Sequence, residues 1–233
     1  MPAKKTILIT GAARGIGKAI AESLISHNLI LITKTDKSFN SMKKEFPDAT
    51  CYKCDLANEK ALNDLIKEIK SSYKHIDVIV NNAGFYVFKT FEETDSEDFD
   101  ELYKIYMRTP FVLIKGLLPK LKASEEPTVI NIASAAAFTR FKSESIYSAV
   151  KVGLVAFTEI IREELRADKI KFTNIKPYGV NTWNDPDKDK LLRPEDIGSL
   201  VKFIVDCHYN CEILDVSLSS VGQWRGGTPP WAK

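Results

Sequence analysis

No stretch of the 233-residue chain stays apolar for the roughly 18–20 residues that a membrane-spanning helix needs. The run Ile7–Ile9 near the N-terminus is too short for the core of a secretory signal. A soluble, cytoplasmic protein without membrane association is the expectation. Cysteine is scarce, and the four residues form two close pairs, Cys51 with Cys54 and Cys207 with Cys211. A disulfide framework does not suit an intracellular chain of this length. One pair falls at a strand end and the other near a helix end. That favours free thiols, with a four-thiolate zinc site as the lesser alternative, and no metal is expected. An excess of one charge sign is also missing: 33 Lys and Arg stand against 31 Asp and Glu, well interspersed. Nucleic-acid binding usually needs a concentrated basic patch, so no nucleic-acid partner is expected. Linker-like low complexity and internal repeats are absent. The chain therefore reads as one domain over 1–233, with an irregular Gly/Pro-rich tail over 218–233.

What is present is alternation. Short β-type runs occupy Thr6–Thr10, Leu29–Thr33, Ala49–Lys53, Asp77–Asn81, Thr128–Ile132, Lys171–Ile175 and Glu212–Val216. Several are nearly continuous apolar runs, as parallel strands buried on both faces require. Helical patterns lie between them at 16–26, 38–45, 58–72, 96–122, 145–167 and 194–206. Val150, Leu154, Phe157, Ile161 and Leu165 make an apolar helix stripe, and Pro194-Glu195-Asp196 is a helix start. Such a rhythm specifies an α/β fold, a doubly wound parallel sheet of about seven strands flanked by helices. A chain of this size should bury roughly 70–75% of its unfolded surface in one core.

The stretch Leu8-Ile-Thr-Gly-Ala-Ala-Arg-Gly-Ile-Gly17 sets three glycines between a strand and a helix. Glycine lets the backbone turn sharply and approach a pyrophosphate, and a helix N-terminus offers N–H groups to an anion. By itself the turn is equally a tight strand–helix connection. Its companions decide the matter. Asn81-Asn82-Ala83-Gly84 follows a strand, Ser134 ends another, and "PYGVNT" (177–182) follows a third. Tyr147 and Lys151 stand one helical turn apart on one face. Strand ends of an open parallel sheet are where ligands bind. A tyrosine near a lysine suits proton transfer: a phenol ionises near pH 10, and a neighbouring ammonium favours the phenolate.

These motifs, T-G-x-x-x-G-x-G over Thr10–Gly17, N-N-A-G over Asn81–Gly84, the Ser134 strand end and Y-x-x-x-K over Tyr147–Lys151, resemble the short-chain dehydrogenases/reductases of classical type. The resemblance runs from Thr6 to about Val216. It implies a nicotinamide-dependent oxidoreductase that interconverts a carbonyl and a secondary alcohol. Tyr147 would be the acid/base, Lys151 its tuner and ribose contact, and Ser134 the holder of the substrate oxygen. Cofactor contacts are implied at Gly11, Ala13, Arg14, Gly15, Ile16, Gly17, Lys34, Thr35, Asp55, Leu56, Asn82, Ala83, Gly84, Tyr147, Lys151, Pro177, Val180 and Thr182. Asp55 also reads as an N-cap for 58–72. Thr35 stands where the family's NAD-selecting Asp usually stands, and Arg14 and Lys34 suit a 2′-phosphate. NADP(H) is therefore expected before NAD(H), with Asp36 one position later arguing the other way. A homodimer or homotetramer through 96–122 and 145–167 is implied as well. The alternative is a cofactor-binding protein on the same fold that senses redox state or binds partners with little turnover.

Three departures from the family pattern stand out. Tyr106 falls where the family has a relay asparagine, and no asparagine occurs between Asn82 and Asn131. Tyr178 replaces a glycine, and its ring is expected to narrow the nicotinamide space. The segment Trp183–Leu192 is short for a substrate lid, with Trp224 and Trp231 of the tail as candidate covers. Phe85, Tyr86, Phe138, Phe141 and Trp183 are candidate pocket aromatics.

Overall fold

The computed structural model describes residues 4–139, 141–183 and 188–222. Seven parallel strands form one sheet: β1 (Thr6–Thr10), β2 (Asn28–Thr33), β3 (Thr50–Lys53), β4 (Val78–Asn81), β5 (Thr128–Ile132), β6 (Lys171–Pro177) and β7 (Asp215–Leu218). Their order is β3-β2-β1-β4-β5-β6-β7, so the chain reverses direction across the sheet between β1 and β4. Helices α1 (Gly15–Ser23), α2 (Asp36–Glu45) and α7 (Pro194–Asp206) supply one layer. The other layer holds α3 (Glu59–Ser72), α4 (Ser96–Tyr103), α5 (Thr109–Leu121) and α6 (Ser145–Glu164).

The strand pleat distributes the core between these layers. Ile7 and Ile9 of β1 join Ile20, Leu24, Ile197 and Val201 on one side. Leu8 joins Leu62, Ile66, Leu113 and Leu117 on the other. Both faces of β1 are thus sealed, which is why its sequence is a continuous apolar run. One polar rung interrupts this core. Asn81, Asn131 and Asn174 stand side by side on β4, β5 and β6, all buried. Asn81 Nδ2 donates to Asn131 Oδ1 (2.8 Å), and Asn131 Nδ2 donates to Thr158 Oγ1 of α6 (2.8 Å).

Element ends shift by one to three residues from the sequence expectation at several places, and two of the changes bear on the architecture. The last strand begins at Asp215, not Glu212, and runs on through Leu218, the first residue of the expected tail. Residues 212–214 instead serve β6 irregularly: Glu212 Oε1 accepts from Phe172 N (2.9 Å), and Ile213 O accepts from Thr173 Oγ1 (2.6 Å). The helix expected over 96–122 is interrupted by a π turn at Lys104–Arg108. Pro110 has no N–H for the carbonyl of Tyr106, so the regular i→i−4 ladder cannot run through this point. Thr109 closes the turn, its backbone N–H donating to Lys104 O, and its hydroxyl lies within hydrogen-bonding distance of Lys104 O (2.8 Å) and Leu56 O (2.9 Å). Among the described residues no helix is long and apolar enough to cross a membrane, and no cluster of His, Cys, Asp or Glu could hold a metal ion.

Candidate functional site

The glycine turn leaves β1 at the reversal of strand order, where an open sheet leaves a crevice. Gly11 and Gly15 take φ of +67° and +53°, a region that side chains disfavour. A Cβ on Gly17 would lie 2.2 Å from Gly11 O, so the turn closes only with glycine there. Asn82 fastens the turn to the end of β4: its Nδ2 donates to Thr10 O (2.9 Å) and Gly11 O (3.2 Å). Thr10 Oγ1 accepts from Asn82 N and Ala83 N, each at 2.9 Å. Among the described residues no side chain caps the N-terminus of α1. Its N-cap Arg14 is exposed, makes no side-chain cap, and no acidic residue occupies the first turn. The N–H donors and positive dipole end of a helix start suit a pyrophosphate. Thr182 lies against this turn, its Cγ2 3.2 Å from where a Gly15 Cβ would stand. Ala13 and Ile16 pack partly into the core behind it.

Beyond β2, Lys34 Nζ pairs with Asp55 Oδ2 (3.0 Å), and the exposed Asp36 pairs with Lys53 (2.8 Å). Thr35 caps α2 by accepting from Ser38 N (3.2 Å). Asp55 does not cap α3, contrary to one reading of the sequence. Asn58 does so, accepting from Ala61 N (3.0 Å), while Asp55 Oδ1 accepts from Ala57 N (3.1 Å). Leu56 is buried in the core, so only its backbone is available to a ligand. Pro177 ends β6 opposite Leu218, and Val180 forms a bridge with Leu192.

Ser134, Tyr147 and Lys151 meet past the end of β5. Ser134 Oγ accepts from Ala136 N (3.1 Å), which starts the turn at Ala135–Ala137. The half-buried Tyr147 is in hydrogen-bonding contact with Ser134 and Tyr106, and burial pushes its hydroxyl up to about 12. Lys151 is 2% exposed, and burial lowers its ammonium to about 7. Its Nζ donates to Ile132 O (2.9 Å) and sits 3.8 Å above the ring centre of Tyr106. No carboxylate among the described residues pairs with it; a carbonyl and an aromatic face hold the cation instead.

Tyr106 is the centre of this cluster. It is buried, its hydroxyl donates to Phe85 O (2.6 Å), and its ring meets Tyr147 edge-on at 5.8 Å. The π turn presents it there, and Gly84 makes room: a Cβ on Gly84 would lie 2.3 Å from the Tyr106 hydroxyl. The Tyr178 ring packs edge-on against Phe138 at 5.8 Å, beside Ser217, Leu218 and Ser219. Of the candidate pocket aromatics, Phe85, Tyr86, Phe138 and Trp183 are exposed and Phe141 is half-buried. Trp224 and Trp231 lie outside the described residues.

Sequence reasoning missed Glu144, three positions before Tyr147. It is 4% exposed, and one carboxylate oxygen accepts from the Tyr86 hydroxyl. Tyr86 in turn meets Tyr147 edge-on at 5.0 Å. A glutamate beside a serine-rich loop looks like an ordinary surface acid. Only the long-range approach of the segment after β4, with Lys89 N donating to Ser143 O (3.0 Å), buries it.

Comparison with known proteins agrees with this geometry. The short chain dehydrogenase family model matches residues 5–190. An uncharacterized oxidoreductase of Staphylococcus epidermidis is 24% identical over 225 residues, covering 94% of this chain and 98% of its own. An alcohol dehydrogenase of the archaeon Thermococcus sibiricus, solved with 5-hydroxy-NADP, superposes with a TM-score of 0.86 at 24% identity, over 95% of this chain and 98% of that one. A serine dehydrogenase in its closed form with NADP+ does so at 0.86 and 22% identity, over 96% and 98%. A strand–glycine turn–helix cradle, a half-buried tyrosine beside a buried lysine and a match over most of the chain lead to one conclusion: this protein belongs to the short-chain dehydrogenase family of oxidoreductases, whose members bind NAD(P).

Proposed function

We propose that the protein is an NADP(H)-dependent oxidoreductase that interconverts a small carbonyl compound and its secondary alcohol. The observation that carries this reading is the meeting of Ser134, Tyr147 and Lys151 past the end of β5, at the same end of the parallel sheet as the glycine turn. When bound, the reduced dinucleotide supplies a hydride to the carbonyl carbon. Ser134 holds the carbonyl oxygen by a hydrogen bond. Tyr147 gives its phenolic proton to that oxygen as the carbon accepts the hydride, leaving a secondary alcohol and a phenolate. Its raised value keeps the proton on the phenol until that moment. Lys151 stabilises the phenolate and returns a proton to it. Tyr106 holds Lys151 from below through its ring face. In the oxidative direction Tyr147 accepts the alcohol proton instead.

The glycine turn and the N-terminus of α1 receive the pyrophosphate. Preference for a 2′-phosphate is supported by the exposed Arg14, by the Thr35 and Ser38 hydroxyls, and by the pairing of Asp36 with Lys53. Lys34 must exchange Asp55 for the phosphate to contribute. Exposed Phe99, Tyr103, Phe111 and Ile160 on α4–α6 support assembly as a homodimer or homotetramer. The test follows nicotinamide absorbance with NADPH and a panel of ketones, aldehydes and quinones. Tyr147→Phe should lower kcat by about 10²–10⁴-fold. Equal rates in wild type and variant overturn the reaction. Tight NADPH binding without any turnover points to the binding-protein alternative. NADPH should bind more tightly than NADH with a steeper salt dependence, and the reverse order overturns the cofactor assignment.

A further inference from the structure

Glu144 is a buried carboxylate with one oxygen in use. Its Oε1 accepts from Tyr86, while Oε2 is buried with no hydrogen-bond partner among the described residues. No Lys or Arg among the described residues pairs with it. Ser148 Oγ, one turn further along α6 on the same face, is buried and unpartnered too. A buried carboxylate oxygen without a donor is unfavourable, and burial accordingly raises the Glu144 carboxyl above its ordinary range. Such an arrangement is explained when a ligand brings the missing donor. The place is telling: Tyr86 links Glu144 directly to the ring of Tyr147, on the side formed by the segment after β4 rather than by the glycine turn.

We propose that Glu144 is a specificity-determining residue whose free oxygen receives a protonated amino group, so that the preferred substrates are amino alcohols and the corresponding amino carbonyl compounds. Tyr86 fixes the carboxylate by holding Oε1, and Oε2 takes the ammonium beside the carbon on which Tyr147 acts. A cation suits the site better than a neutral donor, because it offsets the cost of ionising a buried carboxyl. This inference deepens the proposed reaction and rests on it. The reaction partners are those already named: the carbinol hydride goes to the oxidised nicotinamide and the hydroxyl proton to Tyr147.

The experiment compares 1-amino-2-propanol with its neutral isostere butan-2-ol and with propane-1,2-diol, as both enantiomers, in NADP+-dependent oxidation. Wild type should favour the amine by about 10–100-fold in kcat/KM, expressed mainly in KM, as a hydrogen bond to a charged group implies. Glu144→Gln should bring that ratio close to unity. Equal or better turnover of butan-2-ol or the diol by wild type overturns the proposal, and that comparison needs no variant. A preference that survives in folded Glu144→Gln overturns it as well. If no alcohol turns over, the reaction reading has failed, and the Glu144 site is judged by binding. The amine should then raise the melting temperature of the NADP+-loaded wild type and not of the variant. Absence of that shift overturns it.

Discussion

Lys151 carries the clearest consequence of burial at a single residue. Inside the fold its ammonium loses a proton near 7, far below the unfolded value of 10.5, because burial disfavours the charge. Between those values the unfolded chain holds more protons than the folded one, so stability rises with pH across that window. The slope from one such group is at most about 1.4 kcal/mol per pH unit. Lys151→Met removes it. Urea unfolding at pH 7 and pH 9 should show wild type gaining on the variant by more than about 1 kcal/mol between the two conditions. A constant gap would contradict the buried, discharged lysine. Gly84 offers a second residue-level test. Its Cβ would strike the Tyr106 hydroxyl and ring at 2.3–2.4 Å, and Tyr106 is pinned by Phe85 O and Lys151. Gly84→Ala should therefore cost about 1–3 kcal/mol. In a Tyr106→Asn background the same change should cost much less, because the two positions share one contact. Additive penalties measured by denaturation would show that Tyr106 does not set the requirement for glycine.

Single strands and helices show where polar atoms were placed in spite of the core. Asn131 bridges Asn81 and Thr158 through the middle of the sheet, with both hydrogen bonds at 2.8 Å. These bonds tie β4 and β5 to α6, the helix that carries Tyr147 and Lys151. Truncation at Asn131 strands the buried Nδ2 donor of Asn81, while the Thr158 hydroxyl keeps its bond to Leu154 O (2.6 Å). Asn131→Ala should lower unfolding free energy by about 1–3 kcal/mol for the donor so left. A change within a few tenths of a kcal/mol would mean that the rung is not a fastening. The π turn works in the same direction. Pro110 prevents a regular helix, the backbone N–H of Thr109 closes the wider turn on Lys104 O, and Tyr106 comes to lie under Lys151.

At the scale of the whole molecule, the parallel sheet was legible because strands sealed on both faces must be apolar runs, as Ile7-Leu8-Ile9 shows. The glycine turn was legible because only glycine tolerates the approach of Gly17 to Gly11 O. Position along the chain did not reveal which side chains find each other across it. Glu144 is buried by a segment some fifty residues away, and Lys34 meets Asp55 from a different strand. Pocket chemistry of that kind depends on tertiary contact, not on local pattern. The cradle itself gives a prediction for the molecule as a unit. A ligand that binds only the folded chain adds about 2.7 kcal/mol of stability at a hundredfold excess over Kd. For a domain of this size about 2–4 °C accompanies each kcal/mol, so saturating NADPH should raise Tm by roughly 5–10 °C. Arg14 is exposed and caps nothing, so Arg14→Glu should leave the unliganded Tm within about 1–2 °C of wild type. The variant should lose most of the NADPH shift and less of the NADH shift, since the new carboxylate repels the extra phosphate. Equal losses for the two dinucleotides would place Arg14 at the shared pyrophosphate and leave the 2′-phosphate to other groups.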